Sequence, residues 1–297
     1  MRLSPTVLIA AVASLTVPLA LAGCAPKDDT TSAGSDPSTT ASASASADAC
    51  AKDSLAVKTP GKLTVATDSP AYPPWFVDNK PTNGKGYESA VAYAVAKQLG
   101  FEQGDVTWVT VPFNNSYAPG AKTFDFDINQ ISITPARQKV VSFSRGYYSA
   151  AQAVVTVKGS KAEKATSIAD LAGLKLGAQT GTTSLTALRD DVKPTADPLV
   201  FDDTNVAKRA LENGQVDAIV VDLPTAFYIT AAELDDGVIV GQFPGSGTPE
   251  QFGLLSEQGS KLTPCLNTAL DALDQDGTLA ALEKQWLSDT VDVPVLK

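Results

Sequence analysis

Hydrophobic and polar positions recur along this chain with two periods, and the switches between them predict its elements. Lys62–Asp68 and Val106–Val111 alternate as half-buried strands do, and Phe124–Gln130 returns the chain to a central strand. Tyr87, Val91, Ala94, Val95 and Leu99 fall at helical spacing ahead of Gly100, so Tyr87–Leu99 reads as an amphipathic helix with Glu88 as a cap and dipole partner. Gln130–Ser144 reads as a buried strand, a capped turn, a short helix and a second strand. Ala151–Val157 is an apolar crossing strand, after which Lys, Ser and Glu take over and a new rhythm begins. Ser167 and Asp170 form a capping box, and Leu174–Ala178 is a strand that ends at the Gly181 turn. A helix over Asn205–Asn213 stops at Gly214, and Gln215–Asp222 follows as a buried, parallel-type strand. Val238–Phe243 and Phe252–Leu255 are strands, and two helices close the chain, one from Thr263 to about Asp276 and one ending near Trp286 and Leu287. Strands alternating with helices place the chain in the α/β class.

The amino terminus has another character. One Arg and a broken apolar run over residues 1–23 read as an export signal, too short and interrupted for a membrane span. Its end, Leu21-Ala22-Gly23-Cys24, resembles the bacterial lipobox, which makes Cys24 the expected lipidated first residue, held at the membrane by acyl chains. Residues 24–49 carry Ser, Thr, Ala, Asp, Gly and Pro and read as a flexible tether. The expected place is therefore the outer face of the cytoplasmic membrane. Export also bears on Cys50 and Cys265, an even pair on an oxidising side, for which a disulfide is expected and two buried thiols are the other reading. At 297 residues there is room for two domains, with lobe 1 over 50–152, lobe 2 over 153–241 and lobe 1 again over 242–297.

The net charge of −10 argues against nucleic acid or an anionic membrane surface as a partner, so an anionic ligand needs a local positive site. The chain contains no His and only three Cys, which removes His-based catalysis and transition-metal sites from consideration. Asp125 and Asp127 lack a nearby third ligand and read as strand-end residues in solvent. No cofactor or metal is expected. Two stretches supply the positive site. Thr134 stands where an N-cap belongs, Pro135 at the first helical position and Arg137 in the first turn, so a guanidinium fork and free backbone N–H groups converge on a space suited to a carboxylate. Gly181-Thr182-Thr183-Ser184 is a glycine turn leading into a helix and makes a second anion cradle; a phosphate loop would need a downstream Lys that is absent. Asp222 ends its strand where open α/β sheets bind ligands.

From about Leu63 to Leu287 these stretches resemble the family 3 solute-binding proteins of polar amino acid ABC importers. The resemblance rests on Tyr72-Pro73-Pro74-Trp75, on Ile133, Thr134, Arg137, Phe143 and Ser144, on the Gly181-Thr182-Thr183 turn, on Asp217, Ala218, Ile219 and Asp222, and on Gly277, Thr278, Leu279, Leu282 and Trp286. It implies a type II periplasmic-binding-protein-like fold of two α/β lobes joined by two hinge strands, a monomer that closes on one free amino acid and passes it to a permease with its ATPases. It also implies roles: Arg137, Thr182 and Thr183 on the ligand carboxylate, Asp222 and Ser132 on the ammonium, and Tyr72 and Phe113, with Trp75, shaping the side-chain pocket. Gln130, where the family has a small residue, and Gln179 would favour a polar uncharged side chain. The other readings are a ligand sensor without transport and a dehydratase-like enzyme on the same fold; without His an enzyme has only carboxylates, Lys or Tyr for acid–base work, and none is expected.

Overall fold

The computed structural model describes residues 49–245, 247, 249–287 and 293–297, all within one compact unit. The export signal, Cys24 and most of the tether lie outside the described residues. Among those described, the strands are β1 (Leu63–Thr67), β2 (Val106–Thr110), β3 (Phe126–Asp127), β4 (Val141–Ala150), β5 (Gln152–Val157), β6 (Leu176–Gln179), β7 (Leu199–Phe201), β8 (Ala218–Asp222), β9 (Gly237–Gln242) and β10 (Glu250–Glu257). The helices are α1 (Tyr87–Gln98), α2 (Phe113–Ser116), α3 (Pro135–Gln138), α4 (Thr183–Ala187), α5 (Thr204–Glu212), α6 (Leu223–Tyr228), α7 (Thr263–Gln275) and α8 (Thr278–Trp286).

These form two α/β lobes. The first has a five-stranded sheet in the order β2-β1-β3-β10-β4, the second one in the order β7-β6-β8-β5-β9. β1 pairs in parallel with β2 and β3, and β6 with β7 and β8, while β10 and β5 run antiparallel to their neighbours. Each sheet is covered on both faces, which is why all five residues of β1 are buried where alternation alone predicted one wet face. In lobe 1 the larger core joins Leu63, Val65 and Phe126 to α1 and α7, and the smaller joins Ala66, Phe124, Val141 and Leu255. In lobe 2, Val154 and Val220 face one core while Val155 and Ile219 face the other.

The two lobes are joined where β4 of the first sheet gives way, after Ala151, to β5 of the second, and where the chain returns from β9 to β10. The last residues, expected with lobe 1, lie instead along β9. Leu296 is buried in a lobe 2 core, its N–H donates to Gln242 O at 2.9 Å, and Pro294 O accepts from Gln242 N–H at 2.9 Å. Gly241 makes this seat, since a Cβ there would meet Leu296 and Pro294 O at 2.8 Å. Cys50 and Cys265 are joined in a disulfide across 215 residues, tying the start of the described chain to α7. Ser167 and Asp170 form the reciprocal capping bonds expected of them, at 2.9 and 3.3 Å.

Local departures have physical causes. The strand expected before Thr134 shrinks to one bridge, Ser132 to Phe252, because Gln130 sits at φ +48 and ends the extended path. Asp125 and Asp127 are buried, not solvated. Asp125 accepts from the N–H groups of Lys58 and Thr64 at 2.6 and 2.7 Å and so fastens the entry to β1. The Asp127 carboxyl is held well above the usual range by burial and by Glu88 and Asp68.

Candidate functional site

The carboxyl ends of parallel strands from both lobes converge on one space, which is where open α/β sheets place ligands. Asp68 follows β1, Asn129 follows β3, Gln179 ends β6 and Asp222 ends β8, and all four line a single cavity between the lobes. Tyr72, Phe113, Gln130, Ser132, Thr182 and Thr183 line it too. Its volume is about 60 Å³, well below the roughly 150 Å³ that admits a benzene-sized guest, so a larger ligand requires side chains or lobes to move.

Arg137 is set by local chemistry. Thr134 caps α3, accepting from Arg137 N–H at 3.2 Å, and Pro135 fills the first turn. The side chain does not line the cavity; it lies just behind it. Nη1 donates to Ser132 O at 2.8 Å and Nη2 to Gly181 O at 2.9 Å, so one guanidinium links the two lobes. The carbon at its centre stands 4.5 Å from the Tyr117 ring and 5.5 Å from the Phe113 ring, stacking that suits a buried cation. Close approach needs Gly181, which has φ +73, since a Cβ there would fall 2.0 Å from Asn114 Oδ1 and 2.3 Å from the Tyr117 hydroxyl.

The lobe 2 wall is polar. Thr182 caps α4, accepting from Leu185 N–H at 3.1 Å and donating to Gln179 O at 2.8 Å, so its hydroxyl is spent and its backbone N–H is what it offers the cavity. Asp222 makes no side-chain cap for α6; it accepts from Gln152 Nε2 at 2.8 Å. Burial, then the nearby Glu250 carboxylate, push its carboxyl up to about 8, with the Gln152 amide opposing. Glu250, at the start of β10, accepts from Thr183 Oγ1 at 2.6 Å, from Ser132 Oγ, and from Gln152 Nε2 at 3.0 Å. Sequence reading missed Gln152 and Glu250, each the first residue of a strand that follows a crossing between lobes.

On the lobe 1 side Gln130 turns its backbone N–H and its amide onto Glu88, which also accepts from Tyr147 Oη. Glu88 is therefore a buried acceptor under the cavity floor and not a surface cap. Burial raises its carboxyl to about 7 against the lowering effect of those donors. Trp75 is a correction: it is fully buried among Tyr87, Tyr148 and Phe252, outside the cavity lining, and its Nε1 donates across the lobes to Thr225 Oγ1 at 2.9 Å. Tyr72 lines the cavity and reaches Asp203 Oδ1 of lobe 2 at 3.3 Å, and Gln179 Oε1 accepts from Thr204 Oγ1 at 2.8 Å. Asp68, also missed, accepts from Ser69 and Phe113 N–H at 2.6 and 3.1 Å, and burial raises its carboxyl.

Two buried carboxyls raised this far set a pH dependence. The folded chain keeps protons on Glu88 and Asp222 that the unfolded chain gives up near the ordinary carboxylate range, so the stability these two groups contribute is full below about pH 4 and is lost as pH rises through about 7 to 8. Scanning calorimetry without ligand is expected to show a higher Tm at pH 5 than at pH 8. Glu88→Gln should flatten part of that slope; equal slopes in both proteins would contradict the assignment.

Residues 63–289 match the family described as bacterial extracellular solute-binding proteins, family 3. The chain is 28% identical over 237 residues to the L-cystine-binding protein TcyJ of Escherichia coli (strain K12), covering 79% of this chain and 86% of that one. It is 28% identical over 225 residues to the ABC transporter arginine-binding protein 1 of the same strain, covering 73% of this chain and 88% of that one. A solved ancestral arginine-binding protein bound to glutamine superposes with a TM-score of 0.66 at 30% identity, covering 78% of this chain and all of that one.

Proposed function

Because the chain belongs to the bacterial extracellular solute-binding proteins of family 3, with amino acid-binding proteins of ABC transporters among its relatives, we propose that it holds one free amino acid between its lobes and delivers it to a membrane permease. The observation that carries this reading is that Arg137 of lobe 1 reaches Gly181 O of lobe 2 just behind the polar cavity that Asp222 of lobe 2 lines. A zwitterion gains both charges only when the lobes are together, so binding drives closure. Arg137 and the backbone at Thr182 and Thr183 take the carboxylate, and Asp222 with Ser132 takes the ammonium. Tyr72, Phe113, Gln130 and Gln179 surround the side chain. Asp68 and Asp222 line the cavity and, among the described residues, no cationic side chain does, which favours a side chain that donates hydrogen bonds, cationic or amide, over an acidic one. Export, lipidation at Cys24 and the tether would hold the protein outside the cytoplasmic membrane within reach of its permease.

A thermal-shift screen of the mature chain against the twenty amino acids and cystine tests the reading. Ligand at about a hundred times its Kd adds roughly 2.7 kcal/mol of stability. A clear shift from one or a few amino acids is expected, with L-arginine or L-glutamine among them. No shift from any, in protein shown to be free of ligand, would sink it.

Asp222 gives a sharper expectation. Its carboxyl is neutral at pH 7, and an ammonium beside it restores the carboxylate, so binding expels a proton. Titration calorimetry at pH 6 in buffers of different ionisation enthalpy should show release of close to one proton. Affinity should rise with pH and level off above about 8. Asp222→Asn should abolish the release and most of the affinity; proton release that persists in this variant assigns it to another group.

A further inference from the structure

Glu250 holds side chains from both lobes at the cavity wall. A hydroxyl has one proton to give, and the protons of Ser132 Oγ and Thr183 Oγ1 both go to Glu250 Oε1. Gln152 Nε2 divides itself between Glu250 Oε2 at 3.0 Å and Asp222 Oδ1 at 2.8 Å. Arg137 stands close enough for its charge to feel Glu250 and Asp222. Arg137 and Thr183 are assigned above to the amino acid's carboxylate and Ser132 to its ammonium, so the Glu250 carboxylate sits among groups that the ligand needs at both of its ends. The donors come from both sides: Ser132 belongs to lobe 1 and Thr183 to lobe 2, while Glu250 and Gln152 open the strands that follow the two crossings. A cavity of about 60 Å³ also requires some side chain to leave before a whole amino acid fits. Glu250, at the end of a crossing segment, is placed to leave as the lobes part.

We propose that Glu250 is an internal competitor of the ligand: it latches the two lobes by taking the hydroxyl donors of Ser132 and Thr183, and an amino acid binds by displacing it. The latch keeps the free protein partly closed and sets affinity by competition. The displacement half rests on the amino acid reading above; the latch half does not.

The test uses the mature chain, its Glu250→Gln and Glu250→Ala variants, and calorimetric unfolding to confirm that each is folded. Small-angle scattering of protein stripped of ligand by unfolding and refolding should give a larger radius of gyration for both variants than for the wild type. Titration with L-arginine, L-glutamine and L-cystine should show affinity raised at least about tenfold in Glu250→Ala for whichever of them the wild type binds. Unchanged scattering in both variants overturns the latch, and unchanged or weaker affinity overturns the competition. If the wild type binds none of the three, the fault lies with the amino acid reading, and the scattering still decides the latch.

Discussion

Replacing Arg137 with Ala is expected to lower amino acid affinity by roughly thirtyfold to several thousandfold. Truncating one partner of a buried, hydrogen-bonded charge pair costs about 2–5 kcal/mol, and each 1.4 kcal/mol is a factor of ten. Arg137 is 7% exposed, and its local positive charge stands against a chain of net charge −10. The substitution also removes the bridge from Ser132 O to Gly181 O, so closure weakens along with carboxylate binding. Arg137→Lys keeps the charge but not the fork or the stacking on Tyr117, and should fall between the two. Titration calorimetry gives the affinities, and unfolding without ligand separates lost binding from lost fold. Undiminished affinity in Arg137→Ala would place the carboxylate elsewhere.

Reducing the Cys50–Cys265 bond, or replacing both cysteines with Ser, is expected to cost about 2–5 kcal/mol. Closing a loop of 215 residues has an entropic worth near 5 kcal/mol, an upper value that measured cases seldom reach. For a protein of this size the loss lowers Tm by about 4–20 °C. The bond ends in the core beside α7, where Cys265 is buried, and neither cysteine lines the cavity, so affinity should hold while Tm falls. Calorimetry with and without reductant checks both. A drop of only a degree or so would mean that the first residues fray without the rest of lobe 1.

What the sequence revealed and what it hid divide along contact range. The Thr134 cap, Pro135 and Arg137 lie within four residues, and their arrangement follows from helix-end chemistry. The place of Asp222 at the cavity was legible because it ends an apolar strand of parallel type, where open α/β sheets open into a crevice. Glu250 was not: its partners Thr183 and Ser132 lie 67 and 118 residues away, and nothing near it in sequence signals a role. Trp75 was misjudged because a Trp in a loop of Pro and Tyr looks the same whether it faces the cleft or fills the core; packing against Tyr87, Tyr148 and Phe252 decided it. Glu88 looked like a dipole partner from its place in the first turn, but Gln130 and Tyr147, from other elements, turn it into a buried acceptor. The seating of Leu296 in lobe 2 likewise depends on Gly241, which sequence alone marks only as a glycine in a strand.

The claim at the centre is that the proposed clamp holds both ends of a zwitterion, the carboxylate at Arg137, Thr182 and Thr183 and the ammonium at Asp222 and Ser132. It is met most directly by titrating the mature chain with the amino acid that stabilises it best, then with that ligand's decarboxylated amine and its deaminated acid. The account predicts a 1:1 complex with the amino acid and affinities at least about a hundredfold weaker for each analogue. An amine or an acid that binds as tightly as the parent would contradict it.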